Sequence, residues 1–551
     1  MNITWLSLNA SYSHSSLALP LLHRACMHRK DWNWQAIHST INDKPNAIVS
    51  KCLSTKPDVL LATAYLFTVE AILKVGERLK TLQPDLKIIL GGPEFLGDHT
   101  AFLQKYPFVD GLLRGEGEAV IESILANTRD LSKVSVSGLS FRNNSGDIVE
   151  DSRFAPELDA SDLPDPFESP FLDFTKSFVQ IETSRGCTSK CSFCTSALSQ
   201  GLRTYPIEVT RSQLDLTRTH GIKEIRILDR TFNTPPQRAY EFLKCFLEEY
   251  PEMNFHLELY PNLLNEEILE LCSQAKPGQL HLEVGLQSTS SDILKGIQRA
   301  SFSRRAQTSL KTLCEMSSVP VHVDLIIGLP GQSLEDFLND LETLSRFQPE
   351  EIQLEVLKIL KGTPLETQLT DRGIKFSDSP PYDVLETDLF SFEELNYGMQ
   401  ISKVLDDYYN CLELQPTLQD VWIKNPSLIR DLSDFLIKKQ GDQFSAPTSL
   451  SKRYHLLHEF LLIHEKSAAD QLAISWVRAG HTPLKGLVPT SLWKTDVPTD
   501  AKCLHQKADH PYQRDAKVYH LNLSNTDHWL KIYRKDQQRT HILKEWSILR
   551  D

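Results

Sequence analysis

The sequence predicts an α/β fold built from a doubly wound parallel sheet, a partial barrel of six strand–helix units and a mostly helical carboxyl-terminal region. Three observations support this prediction. Apolar strands alternate with helical stretches five times in the first 130 residues. The alternation repeats six times between residues 178 and 366, and apolar residues then recur at helical spacing. We therefore divide the 551 residues into segments 1–130, 131–177, 178–366 and 367–551.

The first segment carries five predicted strands, and the residues that follow them are mostly polar or rich in glycine. The strands are Ile3–Leu8, Trp34–Thr40, Asp58–Ala64, Leu86–Leu90 and Asp110–Leu113. Ligands of a doubly wound sheet bind beyond the carboxyl ends of its strands. The candidate binding residues at these ends are Asn9, Ser11, His14, Thr63, Tyr65, Leu66, Gly91, Gly92, Pro93, Glu94, Gly115, Glu116, Gly117 and Glu118. No G-x-G-x-x-G motif opens the first helix, which argues against a dinucleotide site, whereas paired glycines let a flat organic group approach the backbone closely.

The second segment, 131–177, is predicted to be a linker that contains one small hairpin. Asn143–Gly146 has the composition of a hairpin turn. Pro164, Pro166 and Pro170 indicate an extended connection, because proline-rich segments span distance rather than pack.

The third segment predicts an incomplete (βα) barrel. Its strands are Val179–Thr183, Glu224–Asp229, Asn254–Tyr260, Leu280–Gly285, Val319–Gly328 and Ile352–Leu360. The functional residues of such barrels collect at the carboxyl ends of the strands. Polar candidates at these ends are Asp229, Asn233, Glu258, Glu283, Gln287 and Ser288.

Three cysteines follow the first barrel strand. Cys187, Cys191 and Cys194 form a Cys-x3-Cys-x2-Cys motif that offers a metal centre three thiolates and no fourth. Structural zinc is normally closed by four ligands, and an electron-transfer iron–sulfur cluster normally uses four cysteines. A zinc site would need His220 or Cys245, and neither has the short spacing of zinc modules. The motif therefore predicts an iron centre with one open position.

The cysteine motif and its place after the first barrel strand resemble the radical S-adenosylmethionine (SAM) superfamily. In that family three cysteines hold a 4Fe-4S cluster and SAM occupies the remaining iron. The resemblance implies that Phe193 shields the cluster and offers its backbone to adenine. It also implies that SAM is contacted by Asp229, Asn233, Glu258, Glu283, Gln287 and Ser288. Independently, a sulfonium and an ammonium group need acidic acceptors, and ribose hydroxyls suit carboxylate or amide partners.

The first segment resembles the cobalamin-binding domain that precedes the radical barrel in one subgroup of this superfamily. The resemblance is carried mainly by Gly91–Glu94 and Gly115–Glu118, and it implies that the fourteen strand-end residues named above hold cobalamin. The sequence lacks the Asp-x-His-x-x-Gly loop that supplies histidine to cobalt in many mutases. The resemblance then implies a lower cobalt face near Tyr65, Leu66 and Phe67.

The last segment is predicted to be mainly helical, and no chemical motif lies in it. A strand pair at Val518–Leu523 and Trp529–Tyr533, joined across Ser524–Asp527, is predicted near its end. This segment resembles an uncharacterised carboxyl-terminal domain of cobalamin-type radical SAM proteins, and that resemblance assigns no reaction.

Composition narrows the class of protein. A hydrophobic fraction of 40% and a charged fraction of 24% are typical of soluble globular proteins, and neither a signal peptide nor a membrane span is predicted. We therefore expect a cytoplasmic protein, where thiols stay reduced. A net charge of −13 disfavours nucleic acid as a partner.

The leading functional hypothesis is a cobalamin-dependent radical SAM enzyme that methylates or rearranges an unactivated carbon. The resemblance also implies a one-electron donor such as flavodoxin or ferredoxin. The substrate stays open among a peptide, a lipid precursor and a small metabolite, and no catalytic residue is assigned. Two alternatives remain: a radical SAM enzyme without functional cobalamin, and a non-enzymatic iron–sulfur protein in electron transfer or sensing.

Overall fold

The structure is a computed structural model that describes residues 1–11 and 16–478, together with five strand segments between 492 and 549. The candidate His14 lies outside the described residues. The chain divides into two compact units, one of residues 1–333 with 356–395 and one of residues 334–355 with 396–551. The boundaries of the four predicted segments stay a prediction.

The first unit begins with a seven-stranded sheet. Its strands are β1 Asn2–Asn9, β2 Asn33–Thr40, β3 Val59–Thr63, β4 Lys87–Gly91, β5 Gly111–Leu113, β6 Leu139–Arg142 and β7 Ile148–Val149. Their order is β2-β1-β3-β4-β5-β6-β7, and β1 to β5 pair in parallel. The predicted parallel sheet is therefore confirmed.

Helices cover both faces of this sheet. They are α1 Ala18–Ala25, α2 Pro45–Ser54, α3 Val69–Leu82, α4 His99–Lys105 and α5 Ile121–Ala126. One apolar cluster joins α2, α3 and α4 to the sheet, and a second cluster joins α1 and α5 to it. Burial on both faces explains why the inner strands β3, β4 and β5 are continuous apolar runs rather than alternating ones.

The predicted hairpin is part of the same sheet. β6 pairs antiparallel with β5 and with β7, across the turn that begins at Asn143. The Asn143 side chain accepts hydrogen bonds from the backbone N–H groups of Ser145 (3.0 Å) and Asp147 (2.9 Å), which fixes the turn. The segment between the sheet and the barrel therefore contributes two strands to the sheet in addition to an extended connection.

The partial barrel follows. Its strands are β8 Phe178–Ile181, β11 Glu224–Ile227, β12 Asn254–Leu259, β13 Leu280–Gln287, β14 Val321–Ile327 and β15 Glu351–Val356, with a two-stranded ribbon of β9 Ser184–Arg185 and β10 Arg203–Thr204 after β8. The sheet order is β15-β14-β13-β12-β11-β8, which confirms the prediction of six strands. The helices between these strands are α6 Ile207–Thr219, α7 Pro236–Glu249, α8 Glu266–Ser273, α9 Ser291–Gly296, α10 Arg304–Cys314 and α11 Leu334–Leu344. A short pair, β16 Lys375–Phe376 and β17 Val384–Glu386, comes after the barrel.

The last part of the chain is helical to residue 478. Its helices are α12 Phe392–Val404, α13 Gln415–Trp422, α14 Leu428–Gln440, α15 Leu450–His464 and α16 Lys466–Arg478, with a π-helical turn at Leu405–Tyr409. An antiparallel sheet of order β18-β20-β21-β22-β19 follows, formed by β18 Leu492–Trp493, β19 Lys502–Gln506, β20 Lys517–Asn522, β21 Thr526–Arg534 and β22 Thr540–Leu549. The predicted strand pair corresponds to β20 and β21, so the mainly helical region also carries a sheet. Among the described residues, no helix is both long and apolar enough to cross a membrane.

Candidate functional site

The cysteine loop is held at both ends by short backbone pairings. β9 and β10 pair antiparallel on either side of it. Gly186 has a φ of +89°, and a Cβ there would collide with the Gly201 carbonyl, so the loop closes only around glycine. Within the loop, the Ser192 N–H donates to the Ile297 carbonyl (3.0 Å) and the Ser192 carbonyl accepts from the Leu365 N–H (2.9 Å). The loop is therefore fixed to two other parts of the barrel.

The three thiols line one cavity of about 400 Å³ at the mouth of the barrel. Cys187 and Cys191 are buried, with 7% and 4% of their surface exposed. The backbone N–H of Ser189 donates to Cys187 Sγ (3.4 Å), and Arg299 Nη1 donates to Cys191 Sγ (3.4 Å). Burial raises the pKa of Cys191, and the Arg299 guanidinium opposes that shift. These donors suit thiolate sulfur that is bound to metal.

Four of the seven predicted SAM residues line the same cavity. They are Phe193, Glu258, Glu283 and Gln287. β12 and β13 alternate between buried and half-buried residues, and Glu258, Glu283 and Gln287 all occupy half-buried positions. Gln287 has a φ of +74°, a left-handed conformation that is uncommon outside glycine.

The carboxyl groups of this cavity have different pKa shifts. Burial raises the pKa of Glu258 to about 6. His256 Nε2 lies 2.9 Å from Glu283 and lowers the pKa of that carboxyl group. Burial and the neighbouring Glu283 carboxylate raise the pKa of Asp324 well above its usual range. The cavity thus carries an acidic wall as well as three sulfur atoms.

The other three predicted SAM residues do not line this cavity. The Asp229 carboxylate is buried and accepts hydrogen bonds from Thr183, Ser184 and Arg238. The Asn233 amide bonds both the N–H and the carbonyl of Tyr260. Ser288 is fully buried, and its hydroxyl accepts from the Ser290 N–H. These side chains follow strand ends as predicted, but they form hydrogen bonds with backbone and side-chain groups of the barrel.

Several residues that line this cavity were missed from the sequence. Arg299 lies beyond α9, where no strand-end rule applies, and its guanidinium stands 4.6 Å from the Tyr260 ring centroid. Asp324 belongs to the Asp-Leu-Ile-Ile run at the end of a predicted strand, which was the available signal. The other lining residues outside the predicted set are Ser189, Thr195, Ser196, Ala197, Arg230, Thr231, Leu259, Tyr260, Gly285, Leu360, Lys361 and Tyr382.

A second cavity, of about 770 Å³, lies beyond the carboxyl ends of the first sheet. Of the predicted cobalamin residues it is lined by Asn9, Thr63, Tyr65, Gly91, Gly92, Pro93, Gly115, Glu116, Gly117 and Glu118. Leu66 and Glu94 instead line the cavity of the cysteines, and Ser11 lines neither. A Cβ at Gly92 (φ +109°) would lie 2.6 Å from the Ala64 carbonyl oxygen, so glycine is required for this close backbone approach.

The two cavities share part of their walls. The residues that line both are Tyr65, Phe67, Pro93, Thr195, Ser196 and Arg230. Tyr65 and Phe67 stack with ring centroids 5.6 Å apart and an interplanar angle of 12°. A ligand of the first sheet and a ligand of the cysteine loop would therefore be neighbours.

Acidic residues of the first sheet pair with arginines that flank the cysteine loop. Arg185 contacts Glu116 (3.2 Å), Glu118 (2.8 Å) and Glu182 (2.6 Å), and Arg203 also pairs with Glu116. Arg185 and Arg203 lower the pKa of Glu116 against the opposing effect of burial. The carboxylates of the predicted cobalamin residues Glu116 and Glu118, which line the larger cavity, are thus paired with arginines.

The donor sets fit the predicted cofactors. Three thiols with N–H donors to sulfur suit an iron–sulfur cluster, and an acidic wall suits the sulfonium and ammonium groups of SAM. The larger cavity has an apolar majority of lining residues and backbone exposed at Gly91, where the nearest atom to a Cβ is 3.9 Å away. Both cavities fall in the usual size range of cofactor sites.

Three family models match separate parts of the chain. The radical SAM superfamily matches residues 181–344, the B12-binding domain matches residues 4–125, and a protein family of unknown function, DUF4080, matches residues 370–542. These matches confirm the predicted cofactor set of a 4Fe-4S cluster, SAM and cobalamin.

Two relatives and one solved structure extend this comparison. The cobalamin-dependent radical SAM methyltransferase TokK of Streptomyces tokunonensis is 25% identical over 57% of this chain, and the match covers 48% of TokK. The chain therefore spans about half the length of this relative. The uncharacterised methyltransferase PH0819 of Pyrococcus horikoshii is 25% identical over 76% of this chain and 92% of its own length.

The cobalamin-dependent SAM radical enzyme OxsB, solved with aqua-cobalamin and SAM, superposes with a TM-score of 0.61. The alignment covers 86% of this chain and 78% of OxsB at 16% sequence identity, which supports a common fold. The chain thus contains a radical SAM domain, with a B12-binding domain before it and a DUF4080 domain after it.

Proposed function

We propose that the protein is a cobalamin-dependent radical SAM enzyme that transfers a methyl group to an unactivated carbon of a small molecule or a peptide. One observation carries this proposal: the cavity of the three cysteines and the cavity of the first sheet share Tyr65, Phe67 and Pro93 as common wall. A substrate in the smaller cavity would therefore lie beside both cofactors. A SAM-only enzyme needs no such second cavity.

When bound, the reduced cluster and SAM supply a 5'-deoxyadenosyl radical and cobalamin supplies a methyl group. The chain's own residues bind, orient and exclude water. Cys187, Cys191 and Cys194 would hold the cluster, and Glu258 and Glu283 would accept hydrogen bonds from SAM. Phe193 stands between Cys191 and Cys194 in the sequence and lines the same cavity, so it would limit the access of water to the cluster.

The proposal includes a one-electron donor such as flavodoxin or ferredoxin, because the cluster must be reduced before SAM is cleaved. The experiment is an anaerobic reconstitution with iron, sulfide and cobalamin, followed by size exclusion. Dithionite-reduced protein is then incubated with SAM and a fractionated extract, and 5'-deoxyadenosine and S-adenosylhomocysteine are quantified. We expect both products, and we expect the corrinoid to remain bound.

Two variants make the assay specific. Cys191→Ala removes a predicted cluster ligand and should abolish 5'-deoxyadenosine formation, whereas Cys314→Ala removes a thiol of α10 and should leave it unchanged. Absence of 5'-deoxyadenosine from the wild-type holoprotein would contradict the proposal as a whole. Formation of 5'-deoxyadenosine with clean loss of the corrinoid would leave a radical SAM enzyme that does not use cobalamin.

A further inference from the structure

One sector of the cysteine-lined cavity belongs to neither the cluster loop nor the barrel strands. The residues of this sector, which we call the distal wall, are Leu66, Glu94, Leu360, Lys361 and Tyr382. None of them lines the larger cavity. Three of the five are polar, although a wall that served only to exclude water would be apolar.

The Tyr382 side chain contacts both of the other polar side chains of the distal wall. The Tyr382 hydroxyl donates a hydrogen bond to the Glu94 carboxylate. The Lys361 ammonium lies 4.9 Å from the centroid of the Tyr382 ring and 3.5 Å from Glu366. Burial raises the pKa of Glu94, and Tyr382 and Lys361 counteract that shift. The distal wall therefore combines hydrogen-bond donors and an acceptor in a partly desolvated part of the cavity.

The backbone holds this group in an unusual conformation. Tyr382 has a φ of +64°, and such a value for a bulky residue is rare and concentrates at functional sites. It is fixed by two hydrogen bonds, from its own N–H to the Ser379 carbonyl (2.9 Å) and from the Ile359 N–H to its carbonyl (3.0 Å). Of the five non-glycine residues with positive φ in the described chain, Tyr382 and Gln287 line this same cavity.

The distal wall is also packed directly on the first sheet's loops. Gly362 has a φ of +78°, and a Cβ there would collide with the Leu96 carbonyl. A Cβ at Gly97 would lie 3.1 Å from the Lys361 Cβ. This close approach fixes the backbone of Lys361 against the loop that carries Glu94, so the polar group is preorganised for a ligand.

We propose that the distal wall binds the substrate through an amide or amino-acid group. The Lys361 ammonium donates a hydrogen bond to an oxygen of the substrate, and the Glu94 carboxylate accepts one from a substrate N–H. This inference rests on the proposed function, because it assigns the polar end of a substrate whose reacting carbon lies between the cofactors. Leu66 and Leu360 supply apolar contact for the adjoining part of the substrate.

Charge and desolvation disfavour a phosphate or a hydrocarbon chain at the distal wall. A phosphate would meet a lysine that already faces Glu366, with Glu94 as a further acidic group beside it. A hydrocarbon chain would bury Lys361, Glu94 and Tyr382 without offering them hydrogen bonds, which is unfavourable. An amide or an α-amino acid satisfies a donor and an acceptor together.

The test uses the anaerobically reconstituted holoenzyme and four named sets of probes. These are N-acetyl amino-acid amides, free amino acids, glycerol phosphate and octanoate. The measurement is the ratio of 5'-deoxyadenosine formed with a probe to that formed without one. We expect stimulation by one of the first two sets, and the set that stimulates identifies a peptide or a free amino acid as the source.

Variants then test the named residues. Lys361→Met and Glu94→Gln should each raise the apparent KM for the stimulating probe at least tenfold, and Tyr382→Phe should raise it less because the ring is kept. Lys375→Met, an exposed lysine of β16 paired with Glu386, is the matched control and should stay within twofold of wild type.

Each outcome decides the matter. Stimulation of wild type that is weakened in Lys361→Met and Glu94→Gln supports the distal wall. Equal KM values in wild type and these variants overturn it, and so does stimulation by glycerol phosphate or octanoate alone, or by no probe. In those cases 5'-deoxyadenosine made without a probe still supports the proposed function, whereas its absence from wild type refutes that function instead.

Discussion

Replacement of Asp229 by asparagine distinguishes between two roles of this residue, binding of SAM and stabilisation of the fold. The Asp229 Oδ1 atom accepts the N–H groups of Thr183 (2.7 Å) and Ser184 (2.9 Å). Its Oδ2 atom accepts both of their hydroxyls at 2.6 Å and Arg238 Nη2 at 2.8 Å. The Asp229 side chain is 0% exposed and that of Arg238 is 10% exposed. We therefore expect Asp229→Asn to act on stability rather than on SAM affinity.

The expected loss in the free energy of unfolding follows from the two acceptor oxygens of Asp229. Asparagine keeps one acceptor oxygen and places an NH₂ group against donors that the carboxylate accepted. It also leaves the Arg238 guanidinium buried without its counter-ion. Removal of one partner of a buried ion pair costs about 3–5 kcal/mol, which is a large part of a typical stability of about 5–15 kcal/mol. Asp292→Asn, an exposed acid of α9, is the control and should cost under about 0.5 kcal/mol.

The assay has two readouts on the same anaerobic protein. Urea unfolding followed by circular dichroism should show an earlier midpoint for Asp229→Asn. Equilibrium dialysis of SAM, at a temperature where the variant is folded, should show a dissociation constant within about threefold of wild type, because Asp229 does not line the cavity. Wild-type stability combined with a tenfold or greater loss of SAM affinity would refute this reasoning.

Three further outcomes follow from other contacts. Arg299→Gln removes the donor to Cys191 and should lower the reduction potential of the cluster. A charge-assisted hydrogen bond contributes about 1.5–3 kcal/mol; if half of that energy depends on the oxidation state of the cluster, the reduction potential falls by roughly 30–60 mV. An EPR-monitored titration measures this change, and an unchanged potential would contradict the contact. Glu258, whose pKa burial raises to about 6, protonates as pH falls, so SAM affinity should drop up to tenfold per pH unit below 6. Glu258→Gln should flatten that profile. Gly92→Ala should lower cobalamin retention measured by absorbance, whereas Gly146→Ala, with φ of +93° and open space, should retain it.

The main strands of the first sheet and the barrel were predictable because they are apolar runs, as in β3 and β4, or alternate between buried and half-buried residues, as in β12 and β13. The predicted strand ends are wrong where apolar residues continue beyond the end of a strand. The last barrel strand was predicted to reach Leu360, yet β15 ends at Val356. Beyond that point the Leu357 N–H still donates to Ile327 of β14, but the Leu357 carbonyl accepts from Val384 and the Ile359 N–H donates to the Tyr382 carbonyl. Apolar residues therefore continue into a different set of hydrogen bonds. Sequence periodicity does not record that change of partner.

Which side chains reach the cavity was only partly predictable. Glu258 and Glu283 lie at alternate positions of β12 and β13, so strand period alone places them on one face. Asp229 lies beyond the end of β11, where strand alternation no longer fixes the direction of the side chain. Arg299 and Tyr382 come from loops with no periodicity, and only tertiary packing brings them to the cysteines.

The predicted boundary between the first sheet and the barrel does not separate the residues of the site. Arg185 and Arg203 flank the cysteine loop, and both pair with Glu116 of the first sheet. On another side of the cavity, Tyr382 pairs with Glu94, which follows β4. A barrel cut away at the predicted boundary would lose both of these carboxylates, and Arg185 and Arg203 would keep fewer acidic partners. The hydrogen bonds around the cysteine loop and its cavity therefore join the two segments, and Glu94 and Glu116 precede the first cysteine by seventy positions or more.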